Sequence, residues 1–161
     1  MKSKFRYTAY IVALISVLLF IMLVILLVKS INSDASLWKT FLIAAFFLFI
    51  WLWMFFGELR SKTVSVEIGE DKIRIRKYLG IGTLKEYQID EISGFKISVL
   101  RSKGGVYKYL YLMADDKKIA KISEYYHRNY KDLKKFLITA GVRSLGIERF
   151  GNLQELKDLF S

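Results

Sequence analysis

GELRSKTVSVEIGEDKIRIR, Gly57 to Arg76, is where the chain changes character. Before it lie two long apolar runs, and from Thr63 onward the pattern has period two. In TVSVEI, Val64, Val66 and Ile68 fall on one side. In DKIRIR, Ile73 and Ile75 fall on one side and Lys72, Arg74 and Arg76 on the other. Alternation of this kind is the mark of half-buried strands, because successive side chains of a strand point to opposite faces. Gly69-Glu70-Asp71 between the two runs reads as a turn.

Upstream, Tyr7 to Val28 holds no charged residue. As a helix it is about 33 Å long, enough for a hydrocarbon core of about 30 Å. Leu37 to Phe56 is equally apolar apart from Lys39 near its start, which can snorkel to an interface. Trp38, Trp51 and Trp53 suit interfacial anchoring. With the short polar link Lys29 to Ser36, residues 1–60 read as a transmembrane helical hairpin with spans at about 7–28 and 37–56. A cleaved leader fits poorly: the first run exceeds a signal core, and a second follows at once. Lys2, Lys4 and Arg6 precede the first span, and Arg60 and Lys62 follow the second. That bias predicts both the N-terminus and the C-terminal domain in the cytoplasm, on the inner face of the cytoplasmic membrane.

Downstream, Gly80 and Gly82 mark a turn, and Thr83 to Ile89 reads as a weaker strand. Phe95, Ile97 and Val99 alternate, SKGG (Ser102 to Gly105) turns the chain, and Val106 to Met113 follows with Tyr107, Tyr109 and Tyr111 on one side. Asp115-Asp116 turns into KKIAKI. The period then becomes helical. Asn129 stands where an N-cap belongs, with Asp132 at N3 and Gly141 at C′; Tyr130, Leu133, Phe136, Leu137 and Ala140 form an apolar stripe. A second short helix is expected after Asn152, with Glu155 completing a capping box.

The chain has 161 residues and a formal charge of +11, with neither cysteine nor proline. Disulfides, thiolate metal sites and a cysteine nucleophile are thereby excluded. Basic charge near a bilayer favours anionic lipid, at about 1 kcal/mol per well-placed Lys or Arg. His127 is the lone histidine and reads as a polar residue at the helix entry, since acid–base or metal chemistry needs a partner for it. Asp90-Glu91 and Asp115-Asp116 lack a metal-ligand spacing. The glycines form no phosphate loop, and no serine sits in a nucleophile elbow. We therefore expect no catalytic residues, no metal and no cofactor. Tyr107, Tyr109 and Tyr111 around Lys108 could stack bases, but a partly buried strand face explains them better, and no nucleic-acid partner is expected.

Two apolar helices, six or seven strands and a helix beginning near NYKDLKKFL resemble bacterial membrane proteins with a PH-like domain. IGEDKIRIRKYLG, YQIDEISGFKI and the helix carry the likeness, which extends from the hairpin to about Gly141. It implies an α+β PH-like domain over residues 61–141, an antiparallel bent sheet or partly open barrel capped by a C-terminal helix. Residues 142–161 are then an extension with a short helix. It also implies binding of lipids, peptides or proteins rather than catalysis.

Lys72, Arg74 and Arg76 form K-x-R-x-R, similar to the basic strand with which some PH domains hold phosphoinositide headgroups. Lys77 and Lys85 could join them if the next strand pairs back across Gly80 to Gly82. The plainer reading is the wet face of a strand; the sharper one is a site for lipid headgroups or an acidic partner. The expected function is non-enzymatic scaffolding at the membrane surface, through an unidentified membrane or cytoplasmic protein partner, anionic lipid, or both. The alternatives are an accessory subunit of a larger membrane complex held by the spans, and an enzyme with an unrecognised site.

Overall fold

The structure, a computed structural model, describes residues 1–31, 37–102 and 105–149. The helix expected after Asn152 and part of the SKGG turn lie outside these residues.

Helix α1 spans Tyr7–Ile31. Helix α2 spans Leu37–Leu52 and continues as a π-helical segment, Trp53–Arg60. Both are long and apolar enough to cross a membrane, from Tyr7 to Ser30 and from Trp38 to Arg60. The second therefore runs four residues past the expected Phe56. Only 11% of the most apolar window of either helix is buried, whereas the core helix of a soluble protein would be mostly covered. Among the described residues, Ala9, Ser16 and Leu23 are buried in α1 and Ala44 in α2. Their seven-residue spacing draws one seam along α1, and small side chains let two helices approach closely. Phe20 and Trp51 close the seam with ring centroids 5.1 Å apart.

Seven strands follow among the described residues. β1 (Ser65–Ile68), β2 (Lys72–Arg76) and β3 (Leu84–Gln88) form one antiparallel sheet. β4 (Ile92–Ser102), β5 (Gly105–Ala114) and β6 (Lys117–Ser123) form a second antiparallel meander. β7 (Ser144–Arg149) adds to the free edge of β4 in the parallel sense. Both sheets are open among the described residues, where a bent sheet or partly open barrel was expected, and β7 occupies a region expected only to carry a helix. Thr63 bridges Ile122 where the two sheets meet. The β5–β6 turn is tight because Asp115 and Asp116 both take left-handed backbone, φ 46° and 60°, which matches strand twist. β7 can approach β4 because Gly94 has φ +150° and no side chain: a Cβ there would lie 2.5 Å from the Arg143 carbonyl oxygen.

The core lies between the sheets. Val66, Ile68, Ile73, Phe95, Leu110, Leu112 and Ile122 are fully buried, and Leu133 and Leu137 from α3 (Tyr130–Thr139) join them. Phe136 and Ala140 are only half-covered. α3 ends as its sequence predicts. Gly141 has φ +82°, its N–H donates to Ile138 O (3.1 Å), and the Val142 N–H donates to Leu137 O (2.9 Å). This is a Schellman arrangement.

The helix start differs from expectation. Asn129 makes no side-chain cap bond. Its Nδ2 donates to the Lys2 carbonyl (2.9 Å), and its Oδ1 accepts from the Lys4 N–H (2.7 Å). Residues 1–6 lie as an extended strap against the domain. The Ser3 N–H donates to Val66 O, the Arg6 N–H to Tyr126 O and the Arg128 N–H to Lys4 O, each at 2.8 Å. The strap thus covers the open edge of β1, whose backbone would otherwise lack partners. His127, at the helix entry, is fully buried beneath it. Its ring nitrogens each lie 2.9 Å from a carbonyl, Nδ1 from Ser123 and Nε2 from Val64, and its ring contacts Phe5.

Candidate functional site

β2 shows the predicted alternation. Ile73 and Ile75 are buried, and Lys72, Arg74 and Arg76 are exposed. Arg74 stands across from Glu67 of β1 and Glu86 of β3, and its Nε lies 2.8 Å from Glu86 Oε1. With half of that arginine side chain exposed, the pair is worth at most about 1 kcal/mol. Its main effect is to offset Arg74's charge. Arg76 stands opposite Ser65 and Leu84, which offer it no carboxylate.

The outer face of this sheet forms one wall of a groove of about 720 Å³. The strap forms the other, bringing Lys2 and Lys4 toward Arg74 and Arg76, and Glu67 of β1 and Glu86 of β3 line it as well. Tyr10, in the first turn of the first apolar span, also lines it. The groove therefore opens where that span begins. Lys2 and Lys4 were expected only as flanking charges that set topology. Nothing in the sequence pairs the strap with β1, since a six-residue segment has no useful period.

The five predicted cations do not form one cluster. β3 does pair back on β2, but Lys85 stands opposite Ile75. It is therefore on the other face of the sheet from Arg74 and Arg76, because directly opposed residues share a face. Lys77 follows it there. It is half-buried, and its pKa is lowered by burial and then by the nearby charges of Arg60 and Lys85. Lys72 remains on the outer face, at the far end of β2 from Arg76 and outside the lining of the groove.

After Lys77 the chain makes a turn whose Tyr78 and Leu79 have φ of 53° and 57°. Non-glycine residues rarely adopt such backbone without tertiary support. Two contacts supply it. The Leu79 N–H donates to Thr63 O (2.8 Å), and the Tyr78 ring lies 5.1 Å from that of Phe55 in the second span. The turn is thus held beside the span's end, leaving Ile81 86% exposed. At the same junction Tyr126 donates to Glu58 Oε2 (2.6 Å), and Glu58 Oε1 meets Lys62 Nζ at 2.6 Å. Burial, then Glu58, raises the pKa of the Tyr126 hydroxyl.

Tyr109 and Tyr111 are buried on the face of β5 away from the main core, packed with Met113 and Leu100. This agrees with the strand-face reading of the tyrosines. No family model, curated protein or solved structure matches this chain.

Proposed function

We propose that this chain is a two-span protein of the bacterial cytoplasmic membrane. Its PH-like domain, on the cytoplasmic side, binds anionic lipid headgroups and a protein partner at the bilayer surface without catalysing a reaction. The observation that carries this reading is the groove in which Lys2, Lys4, Arg74 and Arg76 gather beside Tyr10 at the start of the first span. Cations there meet lipid phosphates at effective concentrations that a tether makes high. The strap and the junction at Glu58 also agree with a hairpin, since they hold the start of the first span and the end of the second against one domain. The basic flanks favour the cytoplasm for that side. The PH-like assignment rests on the order of six meandering strands followed by a helix; the parallel β7 is an addition to that pattern.

The test uses the full chain in nanodiscs, because the strap belongs to the fold. Hydrogen exchange at β2, β3 and residues 1–6 should slow in discs containing phosphatidylglycerol relative to phosphatidylcholine discs. Replacing Arg74 and Arg76 together by glutamate should abolish the difference, most clearly at low salt. Reversing the exposed Lys131 and Lys135 should leave it. Equal loss in both variants would show diffuse attraction instead of a site. The accessory-subunit reading rests on the exposed Phe46 and Phe49 of α2, 61% and 64% accessible. Extraction in mild detergent followed by sizing would reveal such an assembly.

A further inference from the structure

Between Lys77 and Lys85 the chain reads YLGIGTL, Tyr78 to Leu84, seven residues without a charge. Ile81 at the tip is 86% exposed, and Leu84 is exposed as well. An isolated apolar side chain on a surface needs no explanation. The backbone and the surroundings of this turn set it apart. Four consecutive amides are satisfied by the domain itself. The Leu79 N–H donates to Thr63 O (2.8 Å), the Gly80 and Gly82 N–H groups to Lys77 O (3.2 and 3.0 Å), and the Ile81 N–H to Tyr78 O (3.0 Å). A backbone that needs no water for its donors can enter an apolar layer at little cost. This arrangement requires left-handed backbone at Tyr78 and Leu79, φ 53° and 57°, which side chains of their size rarely adopt. Such backbone persists where the surroundings hold it in place, and it gathers at functional sites. The turn is also tight: a Cβ at Gly82 would lie 3.0 Å from Lys77 O.

The turn stands beside both apolar helices. The Tyr78 ring lies 5.1 Å from that of Phe55, within the second helix, which ends at Arg60. Phe55 is about 25 Å along that helix from Trp38, within reach of a hydrocarbon core about 30 Å thick. Leu79 and Gly80 line the same groove as Tyr10 from the first turn of the first span. We infer that this turn enters the membrane interface beside the hairpin, with Ile81 as the side chain that meets lipid. An uncharged apolar tip between Lys77 and Lys85 has the make-up of an interfacial anchor, the tip going to the acyl–headgroup boundary and the cations staying at headgroup level. The contact has a structural consequence. Two helix ends define an axis about which the domain can tilt, and a third point of attachment fixes that tilt, so that the basic groove is held toward the headgroups. The inference rests on the two-span reading proposed above. It does not rest on the groove's preference for anionic lipid.

Spin labelling of the full chain in nanodiscs tests this, since the chain has no cysteine and a nitroxide can be placed at one position at a time. Three variants carry it: Ile81→Cys, Phe49→Cys in the second helix, and Glu70→Cys in the turn at the opposite end of β2. Oxygen concentrates in the bilayer and a nickel chelate stays in water, so the ratio of their collision rates with the label reads depth. At Ile81→Cys that ratio should exceed the one at Glu70→Cys by at least about threefold and stay below that at Phe49→Cys. It should be the same in phosphatidylcholine and phosphatidylglycerol discs, and Arg74 and Arg76 to glutamate should leave it unchanged, because the contact is apolar. A second measurement dispenses with the label. Ile81→Asp should raise amide exchange at residues 79–82 in the discs by at least about threefold, since a carboxylate keeps the tip in water, and Ile81→Leu should match the parent. An Ile81 label as wet as the Glu70 label, or exchange in Ile81→Asp equal to the parent's, would overturn the inference and, with the Phe49 label in lipid, leave the two-span reading in place. A Phe49 label in water would overturn both.

Discussion

Asn129 occupies the N-cap position of α3 yet uses its amide to clamp the backbone of Lys4: Oδ1 accepts the Lys4 N–H at 2.7 Å, and Nδ2 reaches the Lys2 carbonyl at 2.9 Å. The residue therefore joins the first six residues to α3, across 125 positions of sequence. Replacing it by alanine should cost about 1–3 kcal/mol, as expected for stranded backbone groups. The two possible roles predict different losses. With Asn129→Ala, amide exchange should accelerate at residues 2–6 and along β1, while α3 keeps its protection. Fraying of the first turn of α3 with an undisturbed strap would mean that the side chain is a cap after all.

A fragment beginning at Ser61 retains the two-sheet core but loses the strap and the Tyr126–Glu58 bond. We expect it to fold with a lower melting temperature than the same domain carrying its strap. A peptide of sequence MKSKFR should raise that temperature by pairing with β1. Leu137→Ala, which empties a fully buried position, should cost about 2–5 kcal/mol. The half-covered Phe136 should cost less. Chemical denaturation would rank them, and the reverse order would place the docking face of α3 elsewhere.

His127 gives the fold a pH dependence. Its ring is fully buried between the Ser123 and Val64 carbonyls. Burial is the largest influence and lowers its pKa from 6.5, although the two acceptors pull the other way. A base with a lowered native pKa binds fewer protons folded than unfolded. Its contribution to stability is therefore complete above about pH 6.5 and is lost as pH falls from there through the native value. Melting temperatures of the full chain should drop between about pH 7 and pH 5, and His127→Gln should flatten that part of the profile. An unchanged slope in the variant would assign the effect to other groups.

Topology can be read with single cysteines, since the chain has none of its own. In intact cells a membrane-impermeant maleimide should label Ser33→Cys, between the spans. It should label Lys131→Cys, on the exposed face of α3, only after permeabilisation. Labelling of Lys131→Cys in intact cells would put the whole domain on the outer side.

Local pattern in the chain specifies the two apolar helices, six of the seven strands among the described residues, the end of α3 and the faces of β2. Those features are local or periodic: hydrocarbon-length apolar runs, alternation at Ile73 and Ile75, and a glycine where left-handed backbone is required at residue 141. The tertiary structure alone decided the strap over β1, the burial of His127, the use of Asn129 as a clamp and the parallel docking of β7 beside Gly94. It also decided which cations meet. Alternation places Lys85 and Arg74 on opposite faces only once the register of β2 and β3 is known. Tyr78 meets Phe55 only because the turn after β2 packs against the end of an apolar helix. Contacts between distant segments depend on register and on the packing of whole elements, and no periodicity in the chain encodes them.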